Sequence, residues 1–291
     1  MTYRELNIHS QEGLRLYTRD YGDRISALSP VLCLPGLTRN CKDFESISGE
    51  LQQNRRVLTP DFRGRGRSEY APHWSDYTPQ AEAADMFDLM AATGLHKAIC
   101  LGTSRGGLVA MLMAAMRPTQ IKAVILNDIG PEVNPAGIER IAAYAGKMTA
   151  PPTWTEAAIV LRQMNERAFP TLTGDQWHRF AANTFADHRG RPKIDYDAKI
   201  GLAMRRGLAL TRGRVPTMWP QFRALARIPV LVLRGENSDI LTSDIVTRMQ
   251  EVLPHMTAVT VKDRGHAPLL DEPESVAAIT AFCDQVDTLA D

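Results

Sequence analysis

The 291-residue sequence has no uninterrupted apolar run near the roughly 18 residues that a bilayer-spanning helix needs. Its opening residues, Met1-Thr2-Tyr3-Arg4-Glu5, lead into no apolar stretch of the kind that marks a secretory signal. Cysteine is scarce, and Cys33, Cys41, Cys100 and Cys283 show no Cys-x-x-Cys spacing, which argues against a zinc cluster or a disulfide framework. Two of the four lie inside apolar runs, as buried reduced thiols do, so a cytoplasmic protein is expected. An excess of charge of one sign is also missing. Lys and Arg (34) nearly balance Asp and Glu (33), so no overall field favours nucleic acid or a membrane surface as partner. A small-molecule substrate is the easier fit. Internal repeats and low-complexity tracts are absent as well.

What is present is an alternation of short apolar runs with longer helical patterns. Residues 3–9 and 14–21 alternate about Gly13 like a hairpin, and apolar runs follow at 31–34, 57–59, 98–101 and 123–126. Between them, residues 77–92 read as a helix, with Thr78 as its cap, Pro79 at its first position, and Met86, Leu89 and Met90 on one face. Strands alternating with helices imply a largely parallel sheet covered on both faces. After Asn127-Asp128-Ile129-Gly130-Pro131 the pattern changes, and residues 133–220 read as helical with no convincing strand. That stretch holds Trp154, Trp177 and Trp219, together with Met148, Met164, Met204, Met218, Phe169, Phe180 and Phe185, which suit a helical core of its own or the lining of a substrate site. Strand-like runs resume at 230–233 and 258–261, and a final amphipathic helix covers 273–287.

The chemistry is concentrated at Gly102-Thr103-Ser104-Arg105-Gly106, between the strand-like run 98–101 and a helix-like run 108–116. A strand that turns sharply into a helix holds its central residue in a strained conformation, and the flanking positions come so close to crossing backbone that glycine is required. The pattern is short, and its context makes it informative. Ser104 would project its hydroxyl at the carboxyl edge of the sheet, where the N-terminal amides of the following helix can stabilise an oxyanion.

A serine nucleophile needs a base, and the base needs a carboxylate to orient it. His266, in Asp263-Arg264-Gly265-His266, follows the last strand-like run and is the candidate base. Asp239, in Arg234-Gly235-Glu236-Asn237-Ser238-Asp239, follows the run at 230–233 and is the leading candidate acid. Asp128, at the end of another strand, competes for that role, with Glu236 and Asp244 behind it. His9, His73, His96, His178, His188 and His255 lie in no matching context. The chain order Ser, Asp, His is the one associated with the α/β-hydrolase fold. The oxyanion hole should combine the backbone N–H of Arg105 with that of Leu37, in the turn Leu34-Pro35-Gly36-Leu37-Thr38, since Pro35 has no N–H to give.

With these residues assembled, the chain resembles the α/β-hydrolase superfamily, in the branch that carries a helical cap after the sixth core strand. Asp61-Phe62-Arg63-Gly64-Arg65-Gly66-Arg67-Ser68 is similar to the family's Asp-x-Arg-Gly-x-Gly-x-Ser turn, Arg234-Gly235 through Asp239 to its acid loop, and Gly265-His266 to its histidine loop. The sequence departs from the pattern at Pro35-Gly36, where many relatives carry His-Gly. The Gly64-x-Gly66 pair is no phosphate loop, because Gly-Lys-Ser/Thr is missing and the dinucleotide spacing fails. The resemblance implies an α/β fold with a mostly parallel eight-stranded sheet, a core formed by residues 1–132 and 221–291, and a helical lid over 133–220.

It implies a serine hydrolase of carboxylic esters or lactones that uses no cofactor and no metal. A serine nucleophile argues against the haloalkane dehalogenase and epoxide hydrolase relatives, which need a carboxylate. Two rivals stand beside the ester reading. One is carbon–carbon bond hydrolysis of ring-cleavage diketones, with a basic side chain such as Arg105 or Arg162 binding a substrate carboxylate. The other is a ligand sensor without turnover on the same fold.

Overall fold

A strand that is apolar at every position can pack on both sides, and the central runs of this sequence are of that kind. The computed structural model describes residues 2–289, and Met1, Ala290 and Asp291, at the ends of the expected core, lie outside them. The chain opens with strands β1 (Arg4–His9), β2 (Arg15–Tyr21) and β3 (Val31–Leu34), helix α1 (Glu45–Leu51) and β4 (Val57–Pro60). It continues through α2 (Pro79–Thr93), β5 (Ala98–Thr103), α3 (Arg105–Met116) and β6 (Ile121–Asn127). An excursion follows, made of α4 (Pro135–Tyr144), α5 (Trp154–Asn165), α6 (Gly174–Thr184), β7 (Phe185–His188), β8 (Arg191–Ile194) and α7 (Lys199–Leu210). The chain then closes with α8 (Trp219–Arg223), β9 (Val230–Gly235), α9 (Ser243–Val252), β10 (Thr257–Val261) and α10 (Pro273–Thr288).

Eight strands form one sheet in the order β1-β2-β4-β3-β5-β6-β9-β10. The pairs β1/β2 and β2/β4 are antiparallel, and β4, β3, β5, β6, β9 and β10 run parallel. Side chains alternate between faces along each strand. Leu32, Leu34, Cys100, Val124, Leu126, Val230 and Val232 therefore point one way and pack with Met86 and Leu89 of α2, Val109 and Met113 of α3, Phe222 of α8 and Met249 of α9. Val31, Cys33, Ile99, Leu101, Ile125, Leu231 and Leu233 point the other way and meet Ile47 of α1 and Ile279, Phe282 and Val286 of α10. The expected start of α2 is present: the Thr78 side chain accepts from the Ala81 N–H, and Pro79 occupies the first turn. All four cysteines are buried and unpaired.

The hairpin β7–β8 has no counterpart in the sequence reading, which gave this region helices alone. Its strands pair Phe185 with Ile194 through His188 with Arg191, around Arg189 and Gly190, both at positive φ. Four-residue strands carrying Asp187, His188, Arg191 and Lys193 are too short and too polar to show an apolar alternation. No helix among the described residues is long and apolar enough to cross a membrane.

Because β3, β5, β6, β9 and β10 are parallel, the loops that follow them all open on one edge of the sheet. Leu37, Ser104, Asp128, Asp239 and His266 lie in those loops or at the strand-to-helix junction. The Asp61–Ser68 motif serves the same edge as scaffolding. Asp61, buried, accepts from the Cys41 and Arg67 amides at 2.7 and 2.9 Å, and the Gly66 backbone wraps so closely that a Cβ there would lie 2.2 Å from Asp61 Oδ2. The turn thus encloses its own carboxylate and leaves no cradle for a phosphate.

Candidate active site

Ser104 sits between β5 and α3 with φ 51° and ψ −113°, a region that L-residues rarely occupy. The flanking glycines permit this. A Cβ on Gly102 would lie 2.4 Å from the Gly106 carbonyl carbon and the Gly107 nitrogen, and one on Gly106 would lie 2.0 Å from the Leu34 carbonyl oxygen. Both are backbone obstacles that no rotamer change relieves. Arg105 is the first residue of α3, so its N–H has no partner within the helix and is free to face the site.

His266 Nε2 lies 2.8 Å from Ser104 Oγ, and His266 Nδ1 lies 2.7 Å from a carboxylate oxygen. That carboxylate belongs to Asp128, not to Asp239. An ionised carboxylate can only accept, so the Nδ1 proton points at Asp128 and Nε2 presents its lone pair to the serine hydroxyl. Asp128 is fully buried at the end of β6, at φ 55°. Its Oδ1 accepts the Gly235 N–H at 2.8 Å, and its Oδ2 accepts the Ser238 hydroxyl at 2.5 Å as well as the imidazole. Ser238, which the sequence reading passed over, therefore holds the Asp128 carboxylate from the neighbouring loop.

The expected acid, Asp239, turns away. Arg140 on α4 donates to it from Nη2 at 2.8 Å, and the pair is exposed, at 42% for Arg140 and 39% for Asp239. Partial burial pushes the Asp239 carboxyl up, but the Arg140 hydrogen bond and charge outweigh it and hold the group below the usual carboxylate range. The correction has a simple physical origin. Strands β6 and β9 are hydrogen-bonded neighbours, with Asn127 in register with Leu233, so both of their loops open beside His266. Sequence spacing places both carboxylates at that edge and does not say which one turns inward.

A cavity of about 500 Å³ opens over the serine. Ser104, Leu37 and His266 line its floor, and Ile141, Tyr144, Met148, Leu161, Met164 and Phe180 from the excursion line its roof. Met148, Met164 and Phe180 were among the candidates for a substrate lining, whereas Phe169, Trp177 and Phe185 are buried in the excursion's own core. The basic candidates fall elsewhere. Arg105 sends its guanidinium to Glu82 at 2.6 Å, and Arg162 forms an exposed pair with Glu166 at 3.7 Å. Arg39, Lys42, Arg140 and Arg179 supply the cationic part of the lining instead. Among the described residues no group of three or more His, Cys, Asp and Glu side chains is placed to hold a metal ion.

Comparison with known proteins identifies the fold and the family. The family described as alpha/beta hydrolase fold matches residues 29–273. A 3-hydroxybutyrate-oligomer hydrolase from Cupriavidus necator is 31% identical over 274 residues, covering 92% of this chain and 92% of that protein. An sn-1-specific diacylglycerol lipase from Mus musculus is 27% identical over 265 residues, covering 89% of this chain and 82% of the lipase. Among solved structures, an alpha/beta hydrolase from Novosphingobium aromaticivorans superposes with a TM-score of 0.88 at 42% identity, covering 97% of this chain and 98% of that one.

Proposed function

The chain belongs to the α/β-hydrolase family and is an enzyme of that family, and from this premise we propose that it hydrolyses carboxylic esters through an acyl-enzyme on Ser104. The observation that carries the proposal is the hydrogen-bonded line Ser104 Oγ, His266, Asp128, with contacts of 2.8 and 2.7 Å. His266 Nε2 takes the hydroxyl proton as Oγ attacks the ester carbonyl, and buried Asp128 stabilises the imidazolium that forms. The Leu37 and Arg105 amides hold the oxyanion. Collapse of the tetrahedral intermediate expels the alcohol with the proton returned by His266. Water, activated by the same imidazole, then releases the acid.

Residues 133–220 act in this reading as a lid that sets substrate choice. The apolar roof suits an acyl chain, and the cationic side chains at the cavity suit a carboxylate-bearing acid. The relative that cleaves 3-hydroxybutyrate oligomers supports short hydroxy-acid esters as the substrate class. The test is a p-nitrophenyl ester series of increasing acyl length, run beside a 3-hydroxybutyrate dimer and a simple lactone. Turnover with a short-chain optimum and cleavage of the dimer is expected. Folded protein that turns over none of them would contradict the ester reading and move weight to carbon–carbon hydrolysis of diketones by the same three residues.

A further inference from the structure

The departure at Pro35-Gly36 leaves the oxyanion turn without the histidine that many relatives place there, and the structure shows another group holding that turn. Arg65, fully buried, donates from Nε to the Leu37 carbonyl at 2.8 Å and from Nη1 to the Arg63 carbonyl at 2.7 Å. The same guanidinium meets Glu82 of α2, with Nη1 2.8 Å from Oε1. The second Glu82 oxygen, Oε2, accepts from Arg105 Nε at 2.6 Å, and Arg105 also donates from Nη2 to the Tyr77 carbonyl at 3.2 Å. Both Glu82 and Arg65 are 0% exposed, and Arg105 is 14% exposed. One buried carboxylate therefore joins two arginines, and each arginine leads to one half of the proposed oxyanion hole. Arg65 grips Leu37, while Arg105 is itself the residue after the nucleophile.

We propose that Glu82 is a positioning residue for catalysis, fixing the Leu37 turn and the start of α3 relative to each other through Arg65 and Arg105. The proposal rests on the ester-hydrolase reading above. A buried ionic cluster is a poor device for stability alone, since well-packed apolar side chains serve as well without the desolvation penalty. Here the charges also do something apolar groups cannot: the planar guanidinium of Arg65 hydrogen-bonds the Leu37 and Arg63 carbonyls while its charge pairs with Glu82. Burial pushes the Glu82 carboxyl up, and the Arg105 and Arg65 charges bring it below its ordinary value. Glu82 is not among the residues that line the cavity, and its side chain pairs with Arg65 and Arg105, so it acts through these two partners.

The experiment compares Glu82→Gln with wild type on the best p-nitrophenyl ester, after titrating active serine with a phosphonate so that kcat refers to folded sites. A loosened oxyanion hole is expected to lower kcat by about 10- to 100-fold with KM changed less than about threefold. Affinity for a boronic acid, which forms the tetrahedral adduct, should fall by the same factor as kcat/KM. The midpoint of the pH–rate profile should stay in place, because the His266–Asp128 contact is untouched. If Glu82→Gln does not fold, Glu82→Gln combined with Arg65→Met removes one of the two stranded cations and should show the same selective loss of kcat and boronate affinity. Unchanged kcat per titrated site in a folded variant, or an equal loss of titratable serine and activity, would overturn the proposal. Wild-type turnover that depends on Ser104 establishes ester hydrolysis whichever way Glu82 behaves, so the two readings fail separately.

Discussion

Replacing Ser104 with alanine is expected to lower kcat for the best ester by about 10⁴-fold or more, the scale seen when a serine hydrolase loses its nucleophile. The change should leave the fold intact. Among the described residues the Ser104 hydroxyl is bonded to no side chain but His266, and its backbone strain is held by the packing of Gly102 and Gly106, which alanine at 104 does not alter. Ester should still enter the cavity, so its affinity in the variant should be close to that of wild type. The measurement is kcat per folded molecule, with the thermal midpoint of the variant matched to wild type. Activity within tenfold of wild type would mean that another group attacks the carbonyl.

The second large effect separates the two aspartates. Asp128→Asn is expected to lower kcat by roughly 10³- to 10⁴-fold, because an amide NH₂ facing Nδ1 favours the tautomer that points its proton at Ser104 and cannot stabilise the imidazolium. Asp239→Asn should lower it less than about tenfold, and its effect on stability should stay within about 1 kcal/mol, since its partner is an exposed arginine. Asp128 also accepts the Gly235 amide and the Ser238 hydroxyl, so the asparagine variant should be checked for folding before its kinetics are read. Measuring both variants on one ester at one pH decides the matter. A large loss in Asp239→Asn with a small one in Asp128→Asn would show that the acid is the one the sequence pattern favours and that the loops rearrange in the working enzyme.

These two predictions mark how far the sequence could be read. That Ser104 and His266 would meet was legible because an elbow imposes glycine at two fixed positions and because one histidine alone follows a strand in a matching loop. The parallel sheet was legible because doubly buried strands must be apolar throughout, as at Ile99–Leu101 and Val230–Leu233. Which carboxylate meets His266 was not legible, because Asp128 and Asp239 follow adjacent strands and the choice depends on a positive φ at Asp128 and on Arg140 from α4 claiming the other carboxylate. That arginine lies far away in sequence from Asp239, and nothing in its neighbourhood announces the pairing. The β7–β8 hairpin was hidden for a different reason: its four-residue strands pair around a two-residue turn and are mostly polar, which leaves little trace in hydropathy. The Arg65–Glu82–Arg105 link joins three elements, and only the missing histidine at Pro35-Gly36 hinted that the oxyanion turn needed another support.

The account turns on Ser104 being the nucleophile that His266 and Asp128 activate, and covalent trapping tests this most directly. The protein is treated with a p-nitrophenyl alkylphosphonate, p-nitrophenol release is followed, and the digested product is mapped by mass spectrometry. One phosphonyl group per chain on the peptide that contains Ser104, with loss of ester hydrolysis in step with labelling and trapping slowed by about 10³-fold or more in Asp128→Asn, is the predicted result. A label on another residue, or ester hydrolysis that continues unchanged after Ser104 is fully labelled, would contradict it.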